Sequence, residues 1–75
     1  MKTHHLLEVV ALTRDLPEHE LRAGDVGTIV EVLDPSTYEV EFVEASGNTR
    51  ALLTLSSTDF RRVNAREMLA IRTAQ

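Results

Sequence analysis

Two carboxylates, Glu39 and Glu41, sit two residues apart in the run Thr37-Tyr38-Glu39-Val40-Glu41-Phe42-Val43. In a strand that spacing puts both on one face, about 7 Å apart. A carboxylate pair near that distance can do acid–base work. Such work also needs a desolvated setting that raises one pKa, and no pocket-forming segment flanks them. The plainer reading is a solvated sheet face, with Glu31 and Glu44 extending it into an acidic patch for a basic partner. His4 and His5 are adjacent and His19 is distant. A metal site needs three or four converging ligands, and adjacent strand residues point to opposite faces. The histidines therefore read as solvent-exposed terminal residues, and no metal is expected. Ser36, Ser46, Ser56 and Ser57 all fall in turns, and no Gly-x-Ser-x-Gly elbow is present. Gly24-x-x-Gly27 lacks the Lys-Ser/Thr of a phosphate-binding loop. No cofactor is expected, and the chain reads as a non-enzyme.

The elements that hold these residues are short strands. Val9–Thr13 is an apolar run and reads as the first strand. Arg14–Ala23 is polar, contains Pro17 and reads as a long loop pinned to the core by Leu16 and Leu21. Gly24 opens a turn that needs φ > 0. Asp25 is placed to accept backbone N–H bonds there. Gly27 lies inside the second strand, about Asp25–Leu33, where a missing side chain implies a bulge or a close backbone approach. Asp34-Pro35-Ser36 is a turn. Tyr38, Val40 and Phe42 share the buried face of the third strand. Thr49–Leu55 is the fourth strand, with Ala51, Leu53 and Leu55 on one face. Ser56–Asp59 reads as a single helical turn, and Phe60–Val63 as a short fifth strand. This is the order of a mainly all-β, five-stranded SH3-like barrel with a core over about residues 6–63.

The tail, residues 64–75, is open to three readings: a helix, an extra strand or a disordered segment. Asn64-Ala65-Arg66-Glu67 has the spacing of a capping box, which favours a helix. Leu69 and Ile71 alternate with Ala70 and Arg72, which favours an extra strand. A helix would place Met68, Leu69 and Ile71 on one apolar side, to pack on the barrel or on another chain.

The chain has 75 residues, a net charge of −4 and no cysteine. That is one domain of small size, without disulfides or thiolate metal sites. No apolar run approaches the ~20 residues of a membrane span, and the opening residues lack a secretory apolar stretch. A cytoplasmic protein is expected. Residues 1–59 carry eleven Asp/Glu against four Lys/Arg, a balance of −7; residues 60–75 carry Arg61, Arg62, Arg66 and Arg72 against Glu67, a balance of +3. An acidic body opposes phosphate-backbone binding and suits a basic protein partner. The arginines read as an ion-pairing rim or as internal partners of the acids.

The segments Val9-Val10-Ala11-Leu12-Thr13-Arg14-Asp15-Leu16-Pro17, Leu21-x-x-Gly24-Asp25-Val26-Gly27-Thr28-Ile29-Val30-Glu31-Val32, Tyr38-Glu39-Val40-Glu41-Phe42 and Leu52-Leu53-Thr54-Leu55 together resemble the DUF4926 family of small bacterial proteins. The resemblance implies an SH3-like barrel without enzyme activity, and an antitoxin or immunity-like role beside a toxin-like partner. The Gly-Asp-x-Gly piece also resembles the KOW motif of RNA-binding barrels, though this chain lacks their basic surface. The leading expectation is a protein-interaction module. Its polar contact surface would be Arg14, Asp15, Glu18, Glu20, Glu39 and Glu41, with Leu16, Met68, Leu69 and Ile71 as anchors. The alternatives are a KOW-like nucleic-acid binder and an accessory subunit of an enzyme. A homodimer could form through a strand edge or the tail.

Overall fold

The computed structural model describes residues 4–44, 46–64 and 66–67. Five strands follow the expected order: β1 (Val9–Leu12), β2 (Val26–Asp34), β3 (Thr37–Val43), β4 (Thr49–Ser56) and β5 (Phe60–Arg62). They form one antiparallel sheet of order β4-β3-β2-β1-β5, the arrangement of an SH3-like barrel. The expected strand limits hold to within a residue or so at each end.

The alternation read in β3 is the spine of the core. Tyr38 and Val40 are fully buried and Phe42 is 2% exposed. Val10, Leu12, Ile29, Leu55 and Phe60 close around them, with Ala51 and Leu53 partly buried against the cluster. Tyr38 and Phe60 meet edge to face at 5.5 Å, and the Tyr38 hydroxyl donates to the Pro35 carbonyl at 2.8 Å. That bond meets the requirement that a buried tyrosine hydroxyl find a partner.

Gly27 faces this core. A Cβ there would lie 2.8 Å from both Phe42 Cε2 and Val40 Cγ1, and 3.0 Å from the Glu41 carbonyl oxygen. The close approach is real, and the bulges lie elsewhere. The β2–β3 register skips Val30 and Leu33, and each bulged residue is pushed outward, 36% and 46% exposed. Bulges bend and twist a strand, which is how a nine-residue β2 wraps the core.

The loop between β1 and β2 is tied as expected. Leu16 and Leu21 exchange backbone hydrogen bonds of 2.8 and 3.1 Å and are 2% and 3% exposed. Between them a 3₁₀ turn, Pro17–His19, ends at Glu20, whose φ of 58° is left-handed. Pro17 suits the turn's first position because its φ is already set. Gly24 takes φ 94°. Residues 56–59 form a tight turn and not a helical one. The Asp59 N–H donates to the Ser56 carbonyl at 2.8 Å, and the Ser56 N–H donates to the Asp59 carboxylate at 3.0 Å. One side-chain acceptor fixes the turn, so β5 begins at once.

The Asn64–Glu67 capping box forms reciprocally: the Glu67 N–H donates to Asn64 Oδ1 at 2.8 Å and the Asn64 N–H to Glu67 Oε1 at 3.1 Å. Met68, Leu69, Ile71 and the helix-or-strand reading of the tail lie outside the described residues.

Gly27→Ala is expected to destabilise the domain by about 2 kcal/mol, because two buried side chains and a carbonyl must move. Urea unfolding checks this; the midpoint should fall with the m slope unchanged.

Candidate functional site

Three features of the surface have a built geometry: a groove beside the long loop, a buried histidine at the N-terminal end, and the outer face of the sheet.

The groove runs between residues 15–25 and the β3–β4 hairpin. One hollow of it, about 580 Å³, is lined by Asp15, Pro17, Leu21, Asp25 and Arg50 among others. Two further hollows of about 550 and 370 Å³ share Arg50 and extend it to Glu18 and Glu44 on one side and to Phe42 and Val43 on the other. Much of the acid here serves the backbone. The Asp15 carboxylate accepts the Ala23 N–H at 2.9 Å, and the Asp25 carboxylate accepts the Arg22 N–H at 2.8 Å. Asp25 thus has the turn-holding role read from its place after Gly24. Arg50 Nη2 donates to the Glu20 carbonyl at 2.6 Å and lies 3.8 Å from its carboxylate. Arg14 leaves the groove for Asp59, donating from Nε at 2.9 Å; this bond, then the Asp59 charge, raises the Arg14 pKa. Leu16 is spent on the core, so its side chain is not offered to a partner. Glu18 and Glu20 remain on the exposed rim.

Glu39 and Glu41 are not part of this groove. They sit on the outer sheet face, where Thr54 Oγ1 donates to Glu39 and Thr49 Oγ1 donates to Glu41 at 2.7 Å. Glu31 lies directly opposite Glu39 in the register, a like-charge pairing that sheets normally avoid. The acidic patch therefore joins Glu31 to Glu39 and Glu41. Glu44 belongs to the groove.

His4 departs from its expected exposure. It is only 7% exposed, its ring edge-on to Tyr38 at 5.5 Å and to Phe60 at 4.8 Å. Its Nδ1 lies 2.7 Å from Glu8 Oε2; a carboxylate only accepts, so Nδ1 carries the hydrogen. Burial is affordable because the imidazole finds aromatic edges on one side and an acid on the other. The spacing of His4 and Glu8, four apart, was the available signal; the aromatic slot was not legible before the fold. His5 stays exposed, as expected. Burial pushes the Glu8 pKa up, but the bond to His4, the His5 N–H and Arg62 together outweigh it, and the net shift is downward.

Two arginines of the C-terminal cluster pair internally: Arg61 with Glu67 at 2.8 Å and Arg62 with Glu8 at 3.4 Å. The Asn64 N–H above all, then Arg61, holds the Glu67 carboxyl below its usual range despite some opposing burial. Among the described residues no group of three or more His, Cys, Asp or Glu is placed to hold a metal, and no helix is long and apolar enough to cross a membrane.

Apolar side chains also lie on the surface. Leu6 and Leu7 are 58% and 70% exposed, and Val43 and Leu52 are 54% and 57%. Leu7 has φ 68°, a conformation a bulky residue seldom takes. It is held there by its N–H, which donates to the Ile29 carbonyl at 2.6 Å, while the Glu8 carbonyl accepts the Ile29 N–H at 3.0 Å.

Strand order, loop placement and this surface define a small SH3-like β domain built around a pinned first loop. The chain belongs to the DUF4926 family, a domain of unknown function, whose model matches residues 6–62. No curated protein and no solved structure matches it.

Because the Glu8 pKa is lower folded than unfolded, its contribution to stability is present above the unfolded value of about 4.3. It is lost as pH falls through the folded value. Glu8→Gln should therefore flatten the acid limb of stability against pH. Thermal melts of both proteins across that range check this.

Proposed function

We propose that this domain is a non-enzymatic protein-interaction module, of the antitoxin or immunity type, that binds a protein partner. The observation that carries the reading is the Leu6-Leu7 turn. A leucine in the left-handed region costs on the order of 1 kcal/mol or more. Here that leucine is 70% exposed. Leu7, with the exposed Leu6 beside it, offers apolar surface of the kind that marks a contact with another protein. Val30, pushed outward by its bulge, follows Ile29, to which Leu7 is bonded. Glu18, Glu20, Glu39 and Glu41 supply acidic character elsewhere on the surface.

The surface charge weighs against the nucleic-acid alternative. Arg14, Arg50, Arg61 and Arg62 each have an acidic partner in the chain, so a phosphate binding at these four would have to displace a carboxylate.

Leu7→Gly is the discriminating variant. Glycine accepts φ 68° freely, so the fold should hold, with stability changed by no more than about 1 kcal/mol. Capture from native cell extract should recover one stoichiometric protein with the wild type and far less with Leu7→Gly. Recovery of nucleic acid or ribosomal material, or equal capture by the variant, overturns the reading.

A further inference from the structure

Among the described residues the sheet is not closed between its ends. β4 is an outermost strand, and among the described residues nothing pairs with its far side. It is also long, eight residues, whereas β5 at the other edge has three. Long free edges are normally blunted with lysine, proline or a covering loop. Ala51-Leu52-Leu53-Thr54-Leu55 has no charge and no proline. Arg50, at one end, is held by Glu20 of the long loop.

The core is also unfinished at this edge. Ala51 and Leu53 point inward, opposite Phe42 and Val40, yet they are only partly buried, while those β3 neighbours are fully or almost fully enclosed. A strand added beyond β4 would cover Ala51 and Leu53.

The outer face says what that strand carries. Thr54 lies opposite Glu39, which lies opposite Glu31, and Leu52 lies opposite Glu41. An added strand would place alternate side chains beside Thr54 and Leu52. Its lysine or arginine stems could extend across β4, over Leu52 and the Thr54 methyl, toward β3, which lies two strand spacings or about 9.6 Å away and whose Glu39 leans back to the Thr54 hydroxyl. Their charges would then reach Glu39 and Glu41. A second copy fits this less well, since it brings another acidic face and a net charge of −4.

We infer that the free edge of β4 takes up an extended segment of a partner protein as an additional antiparallel or parallel strand. The segment alternates apolar residues, which cover Ala51 and Leu53, with basic residues, which face Glu39 and Glu41. Main-chain bonds supply affinity and the alternating side chains supply selectivity. This rests on the interaction-module reading and specifies its partner.

The test uses a labelled peptide of the length of β4 that alternates valine with lysine, and a control with glutamate in place of lysine. At low salt the lysine peptide should bind and the glutamate peptide should not. Amide hydrogen exchange at residues 51–55 should slow on binding. Thr54→Lys and, independently, Leu52→Lys put a cation beside the basic strand, and each should weaken binding about tenfold. Both positions are exposed, and melting curves confirm that the variants fold.

Slowed exchange in the groove at residues 15–25 instead, or equal binding by both lysine variants, overturns the inference. So does a doubled mass by light scattering with residues 51–55 already protected, which would give the edge to a second copy. Capture from extract separates the two levels. A partner retained equally by wild type and Thr54→Lys sinks the edge proposal and leaves the module reading intact. No protein captured by the wild type sinks both.

Discussion

The rest of the domain depends on how closely β2 passes under β3. At Gly27 the backbone of one strand sits against the side chains of Phe42 and Val40, and only hydrogen fits between them. That contact lets Val10 and Ile29, on either side of the crossing, reach full burial. β2 is also the strand along which β1 and β3 both pair. A domain this small has little apolar area to spare. Tight approach at one point is how it makes a core from only three aromatic residues.

The loop is the second constraint, and it is met with backbone bonds instead of bulk. Leu16 and Leu21 close a small ring of chain, and the carboxylates of Asp15, Asp25 and Asp59 hold the N–H groups that the turns leave free. Of the acidic residues that look in the sequence like a contact surface, Asp15 is structural. The acids left to face outward are those on the loop rim and on the outer sheet face.

Strand identity was legible in the sequence because alternation in β3 and turn residues at Gly24, Asp34–Ser36 and Ser46–Asn48 are local signals. Gly27 was legible as an anomaly, a glycine inside a β-branched run. Three things were not. The buried place of His4 depends on Tyr38 and Phe60, which come to it from distant parts of the chain. The bulges at Val30 and Leu33 leave no mark in composition, since both residues are ordinary strand formers. At 56–59, Ser, Thr and Asp serve a helical turn and a tight turn equally well, and Asp59 decides between them. The candidate surface was the least legible part, since the choice between an acid that holds a turn and one that faces a partner is made by the fold.

The bulge at Val30 carries a consequence for how this chain can change. The residues on either side of it, Ile29 and Glu31, are matched to Val40 and Glu39, which are consecutive in β3. Deleting Val30 would leave every one of those pairings in place and every side chain on its present face. What disappears is the bend. Shortening by one residue at that point is therefore the rare strand deletion that keeps the ladder's register while relaxing its curvature. Insertions and losses among relatives should accumulate there before they appear in β3, where the same change would turn the core inside out.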